Sequence, residues 1–465
     1  MFWRRVTIFL LCTLAFAIPI EHKYDKVFRS FSLKLIPQNA FLPSFFEKKI
    51  YFYPSDLIAL ALLFIALFAF RTPLIRFFSS RNAIFLWIVF LFTLISIVFS
   101  PLAHYPTLYL RLLQLLTPIV LFSFLANVCW TEEKSKIASL LLGTIIVMAS
   151  IQSCLAIAQY AIQGPLGLRL LSEPSQFCAY SVPSGQRWIF DASSIAQRIE
   201  LIRPSGTLPH ANVLGGFLSV SMLALYTFFS IPRLRILSAL LLPIQFFAMS
   251  LTMSRSALFS WVLGTLVWFA FFLSRGKGFR MIWRDPAIRV LCSSIAAAMI
   301  FSAVVLHEQI VHRGGIVNYN GLSQASDALR IRYQNIALEI IKDNPLHGAG
   351  FHQLSIRALD YTKDDPNYAA TSGTHNIYLY LAAETGLFSL AAFLFFIGSL
   401  LWAALRTPFT PYLPSLTAIF IAFLFIGGCD FYPLLFQQGK LLFFLTAGLL
   451  AGHVRLKQDL LIEAS

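Results

Sequence analysis

Residues 210–231 read HANVLGGFLSVSMLALYTFFSI, twenty-two positions without an Asp, Glu, Lys or Arg. As a helix rising 1.5 Å per residue this stretch is about 33 Å long, enough to cross a hydrocarbon core of about 30 Å. It is read as a transmembrane helix. The same ruler moved along the chain gives about twelve spans, at 5–20, 55–70, 83–100, 107–128, 136–160, 210–231, 234–252, 256–274, 287–306, 375–404, 413–429 and 439–454. The expected fold is an all-α polytopic membrane protein with about twelve transmembrane helices and long external loops.

Composition agrees with that reading. The 465 residues are 58% hydrophobic and 12% charged, with mean hydropathy +0.72 and 46 phenylalanines. A soluble domain carries roughly a quarter of its residues as Asp, Glu, Lys and Arg. The 36 basic and 21 acidic residues present here cannot coat a globule of this size. A secreted disulfide scaffold, a disordered tail protein and an ordinary cytosolic enzyme are excluded. The net charge of +15 records topology rather than nucleic-acid binding. With the N-terminus inside, basic residues from Arg4 and Arg5 through Arg233 and Arg235 to Arg455 and Lys457 fall in cytoplasmic segments. The short external loops hold only Arg255 and Lys440. An even number of spans returns the C-terminus to the cytoplasm. The first span could pass for a signal peptide, but no small-residue cleavage site follows, and Pro19-Ile20-Glu21 reads as the outer end of a retained span.

Three external segments are long, at 21–54, 161–209 and 307–373, and loops of that length are usually functional. In the last, Leu329, Tyr333, Ile336 and Ile340 share one helical face behind a cap at Ser326-Asp327. Asn344-Pro345 ends that helix, and Gly348-Ala349-Gly350 is expected to be a flexible exit. The helix should lie on the bilayer surface or cap a cavity mouth. No fixed-period repeat is found, which weakens an inverted-repeat transporter. The expected division is 1–200 for the N-terminal helices and first long loops, 201–454 for a core with its external loop, and 455–465 for a cytoplasmic tail.

Polar chemistry concentrates on the external side. His375 opens the tenth span within Thr374-His375-Asn376, behind a cap at Ser372-Gly373. The positive end of the helix dipole disfavours imidazolium there, and a neutral ring can act as a general base. Arg203 stands in Arg203-Pro204-Ser205-Gly206, Arg255 follows Ser254 in a tight turn, Arg330 and Arg332 lie on the loop helix, and Arg111 is near the start of the fourth span. External arginines oppose the positive-inside tendency, and guanidinium groups grip phosphate without losing charge. Each alone suits headgroup snorkelling; with a histidine at matching depth they suit an anion site. Glu384 falls on the far side of its helix from His375 and is read as a buried partner for another helix. Asp364-Asp365 reads as a solvated turn and Asp430 as a wall of the cavity. The six cysteines, Cys178 among them, have no metal-ligand or thiol-exchange spacing.

These residues resemble the O-antigen ligase and O-antigen polymerase superfamily of bacterial envelopes. The resemblance rests on Arg330, Asp343-Asn344-Pro345-Leu346-His347-Gly348-Ala349-Gly350, His375-Asn376-Ile377-Tyr378-Leu379 and Glu384-Thr385-Gly386, in order. Upstream, Arg203-x-x-Gly206, His210-Ala211-Asn212 and Ser254-Arg255 look like earlier landmarks; downstream, Asp430 and Gln437-Gln438-Gly439 are similar. The likeness covers about 200–452. It implies a GT-C-like glycosyltransferase of the bacterial inner membrane, with its active site on the periplasmic face. Such an enzyme moves a glycan from a polyprenyl diphosphate carrier to an acceptor hydroxyl on lipid A-core, a growing glycan or a protein. The implied roles are His375 as base, with Arg203, Arg255, Arg330, Arg111, His210 and Asn376 binding diphosphate or substrate. No metal, cofactor or nucleic acid is expected, and membrane lipids are expected partners. Ligase, polymerase and protein O-oligosaccharyltransferase stay open. A transporter or lipid flippase is the rival from another class, and an envelope polymerase of the cell-shape type, using Asp327 or Asp343, is a third.

Overall fold

The computed structural model describes residues 2–20, 54–65, 81–100, 106–127, 134–168, 179–183, 198–275, 284–307, 321–362 and 374–463, with isolated positions between them. In chain order the long helices are α1 (Phe2–Ala17), α2 (Pro54–Phe64), α3 (Arg81–Val98), α4 (Pro106–Asn127) and α5 (Lys134–Ile162). After a short strand pair come α6 (Ala211–Phe229), α7 (Pro232–Leu251), α8 (Arg255–Arg275), α9 (Pro286–Val305) and α10 (Gly321–Asp343). The series ends with α11 (Ile377–Thr385), α12 (Leu387–Arg406), α13 (Leu413–Cys429) and α14 (Gln437–Glu463). Six of them, α5 to α9 and α12, are long and apolar enough to cross a membrane, and α1, α3, α4 and α13 carry shorter apolar stretches. The protein is an all-α membrane protein.

The stretch quoted at the outset forms α6. Helices α5, α7, α8 and α13 pack around it, and every residue of it except Asn212 is buried. A helix apolar on all sides belongs at the centre of a bundle. A second focus joins α4, α12, α13 and α14 through phenylalanines. Phe122 meets Phe396 edge-on at 5.2 Å, and Phe420 stacks on Phe443 at 5.7 Å. Peripheral helices turn Ile236, Leu240, Ile300, Val304, Phe395 and Trp402 outward, as lipid-facing surfaces require.

Several expectations change. The tenth span is not one helix over 375–404: Gly386, at φ +86°, separates α11 from α12. Ile377, at the start of α11, lies against Gly427 near the end of α13. At the other end, Ser96 near the end of α3 donates to the Glu384 carbonyl at 2.5 Å. Both α11 termini thus rest on the same end of the bundle, so α11 runs across it and only α12 crosses. The loop helix begins at Gly321, five residues before the expected cap at Ser326-Asp327. Strand β1 (Ala179–Pro183) pairs antiparallel with β2 (Arg198–Ile202), with Ala179 opposite Ile202. This ladder of alternating Tyr, Val, Ile and Leu leads the chain to Arg203. The expected tail at 455–465 is helical as far as Glu463, as the continuation of α14.

Candidate active site

Four elements meet at the end of the bundle spanned by α11. The loop after β2 brings Arg203, the start of α6 brings His210 and Asn212, the residue before α11's cap is His375, and Asp430 follows the last residue of α13. Arg203 is buried; its Nε donates to the Thr252 carbonyl at 2.8 Å and its Nη2 to Asn212 Oδ1 at 2.6 Å. Asn212 Nδ2 then donates to Asp430 Oδ2 at 2.8 Å. The other carboxylate oxygen, Oδ1, accepts the Phe431 N–H at 2.8 Å and faces His375 Nδ1 at 3.6 Å. That last separation is slightly longer than a hydrogen bond, and His375 Nδ1 is buried with no other partner. The Phe431 ring covers the imidazole, with centroids 4.6 Å apart.

Burial alone would raise the Asp430 carboxyl, but His375, Asn212 and the Phe431 N–H together hold it below the usual range. An ionised carboxylate facing Nδ1 favours the tautomer protonated there and leaves Nε2 as a proton acceptor. His375 itself is in the left-handed region at φ +48°. Desolvation by burial, with the nearby charge of Arg203, lowers His210 to about 4, so it is neutral at pH 7. Its Nδ1 accepts the Asn212 N–H at 3.0 Å, making it the N-cap of α6.

Asn376, expected to touch substrate, caps α11: its Oδ1 accepts the N–H groups of Tyr378 and Leu379 at 2.9 and 3.1 Å. The first turn of any helix leaves N–H groups unpaired, and an Asn there satisfies them. The cap expected at Ser372-Gly373 lies outside the described residues, as do Cys178 and Asp364-Asp365. Arg330 is near enough for its charge to bear on His210 and Cys429. Arg255 is the exposed first residue of α8, beside the turn whose Thr252 holds Arg203. Arg111 is not brought to this group. It donates to Gln114 Oε1 at 3.2 Å, and its charge bears on His352 and Tyr380. Among the described residues no three His, Cys, Asp or Glu side chains could hold a metal ion.

The two glycine-rich motifs prove to be halves of one lock. The Ala349 N–H donates to the Ala383 carbonyl at 2.7 Å, Gly350 to Glu384 at 3.1 Å, and Leu387 to Pro345 at 2.8 Å. Buried Glu384 turns its carboxylate back on the loop, accepting the N–H groups of His352 at 2.8 Å and Leu354 at 3.3 Å. A Cβ on Gly348 would overlap the Glu384 carbonyl, and one on Gly386 the Leu346 carbonyl. The segment 348–350 is therefore a bonded clamp rather than a flexible exit, and Glu384 is held by loop backbone as well as by the Tyr380 side chain of its own helix.

Residues 237–394 match the family model described as O-antigen ligase. That stretch, about a third of the chain, is what is similar to the O-antigen ligase family. None of the curated proteins matches the chain. The matched stretch runs from α7 into α12 and includes Arg255, Arg330, the Pro345–Gly350 turn, His375 and Glu384-Thr385-Gly386. Arg203, Asn212 and Asp430 flank it in sequence and join His375 in space. The matched stretch and the six long apolar helices together support a multi-pass membrane protein with likeness to the O-antigen ligase family.

Proposed function

We propose that the protein transfers a glycan from a polyprenyl diphosphate carrier to an acceptor hydroxyl at the external membrane face. The chain crosses the membrane about twelve times, with both termini cytoplasmic. The acceptor oxygen attacks the anomeric carbon, the bond from that carbon to the diphosphate oxygen breaks, and the diphosphate leaves with the electron pair. The acceptor proton passes to His375 Nε2. Arg203, Arg255 and Arg330 supply the positive charge that holds the leaving diphosphate. Arg203 does so from a buried position, whereas Arg255 stands exposed at the start of α8.

The observation that carries this reading is His375 facing the ionised Asp430, itself tied through Asn212 to Arg203. A base, its orienting carboxylate and a fixed cation stand in one chain. The test is His375→Ala, assayed for transfer from a polyprenyl diphosphate-linked glycan. Transfer should fall by about a hundredfold or more while the protein reaches the membrane at its normal level. Full activity in that variant would sink the assignment.

A further inference from the structure

We infer that Gln152 and Gln159 of α5 are positioning residues for Arg203. Both are buried, with 1% of their surface exposed. Seven residues apart, they occupy one face of the helix two turns from each other. Gln159 Nε2 donates to the Gly206 carbonyl at 2.9 Å, and the Gly206 N–H donates back to Gln159 Oε1 at 2.9 Å. Gln152 repeats the pattern on the next residue: its Nε2 donates to Thr207 Oγ1 at 2.8 Å, and its Oε1 accepts the Thr207 N–H at 2.9 Å. Each carboxamide thus uses its donor and its acceptor on the same short piece of loop.

Further bonds brace the clasp. Gln159 Nε2 also reaches Glu173 Oε1 at 2.8 Å, and Glu173 accepts the N–H groups of Leu166 and Leu168 at 2.6 Å each. Thr207 Oγ1 donates to the Pro19 carbonyl at 2.5 Å, tying the loop to the end of α1. Gly206 sits at φ +62°, and a Cβ there would overlap Gln152 Oε1. The amide and the missing side chain require each other.

Polar side chains inside an apolar membrane helix are costly unless satisfied. Here they are satisfied by the loop whose Arg203, three residues before Gly206, is aimed at Thr252 and Asn212. A guanidinium on a loop is only as well placed as the backbone behind it. The clasp makes that backbone part of α5. The inference rests on the diphosphate-binding role proposed for Arg203.

The test uses the full chain purified in lipid nanodiscs, with polyprenyl diphosphate as the binding probe and glycan transfer as a separate readout. Gln159→Leu and Gly206→Ala, which open the clasp from opposite sides, should each weaken binding about tenfold. Gln152→Leu, which removes both bonds to Thr207, should weaken binding by a similar factor. In an Arg203→Ala background, Gln159→Leu should add less than about a twofold change, because coupled positions are not additive. Equal losses with and without Arg203 would mean that the glutamines merely stabilise the fold, and would overturn the inference, as would unchanged binding in a folded Gln159→Leu protein. If wild type binds no polyprenyl diphosphate, this inference falls together with the proposed function. If wild type binds and transfers but the coupling is missing, only the clasp falls.

Discussion

Asp430 does at residue scale what His375 cannot do for itself. A histidine held only by its own backbone can turn its ring and choose either tautomer. A carboxylate facing Nδ1 settles both, and Asn212 and the Phe431 N–H keep that carboxylate in place. Asp430→Asn keeps the shape but puts an N–H donor where acceptors are needed. Transfer should drop by about a hundredfold or more at pH 7, with membrane levels unchanged. The pH response follows from the sign of the shift. A carboxyl held below its usual range gives stabilisation that is complete above the ordinary carboxylate range and lost as pH falls through the lowered folded value. Between pH 7 and 5, Asp430 therefore stays ionised, and the wild-type pH-rate profile should show no step assignable to this carboxylate.

The pairing of these two residues was only partly legible in the sequence. His375 announced itself by its place before an apolar helix. Asp430 read as part of a cavity wall, because 55 residues separate it from His375 and no local periodicity links them. Asn376 read as a binding residue although its position before α11 is that of an N-cap. The glutamines of α5 do carry a visible signal, two amides in a largely apolar span.

Among the elements, α11 is the one whose character differs most from its pattern. Its sequence, interrupted only by Glu384, continues as an apolar run into α12, and glycine is common in transmembrane helices, so the break at Gly386 is not marked along the chain. The break is a consequence of the clamp: Leu346 and Gly348 approach so closely that neither Gly386 nor Gly348 can carry a side chain. Gly386→Ala should lower thermal stability by about 2 kcal/mol or more, since it adds both a clash and a disfavoured φ. Glu384→Ala leaves two backbone N–H groups without their acceptor and should cost about 1–3 kcal/mol. Both effects are measurable by thermal unfolding of the detergent-solubilised protein. In each, loss of the Pro345–Gly350 clamp should appear as faster hydrogen exchange at Ala349 and Gly350. The amphipathic face of α10 was legible in part: Tyr333, Ile336 and Ile340 are buried, as is Ala337, whereas Leu329 is exposed; Ile336 and Ile340 share a cluster with Tyr380 and Ala383 of α11.

For the whole molecule, the membrane setting was the most legible feature, because lipid demands apolar surface on the outside as well as within the bundle. Orientation follows the distribution of Lys and Arg and has its own test. A cysteine placed at Arg255 should react with a membrane-impermeant maleimide in intact cells, whereas one at Arg233 should react only after the membrane is opened. Both positions are exposed. The reverse pattern would place the site on the cytoplasmic side and contradict the orientation. Packing among the helices was far less legible than their existence, since nearly every face of nearly every span is apolar.

The bond between Asn212 and Asp430 joins residues 218 positions apart. A ribosome adding about 5–20 residues each second needs roughly ten to forty seconds to travel that distance. Throughout that interval the nascent chain already holds α6 and Asn212 but lacks the carboxylate that orients the histidine. The unfinished protein therefore waits in a membrane containing its substrates without a completed site. On the proposed site, chains truncated anywhere before residue 430 should be inert in a transfer assay, because the carboxylate arrives 218 positions after Asn212.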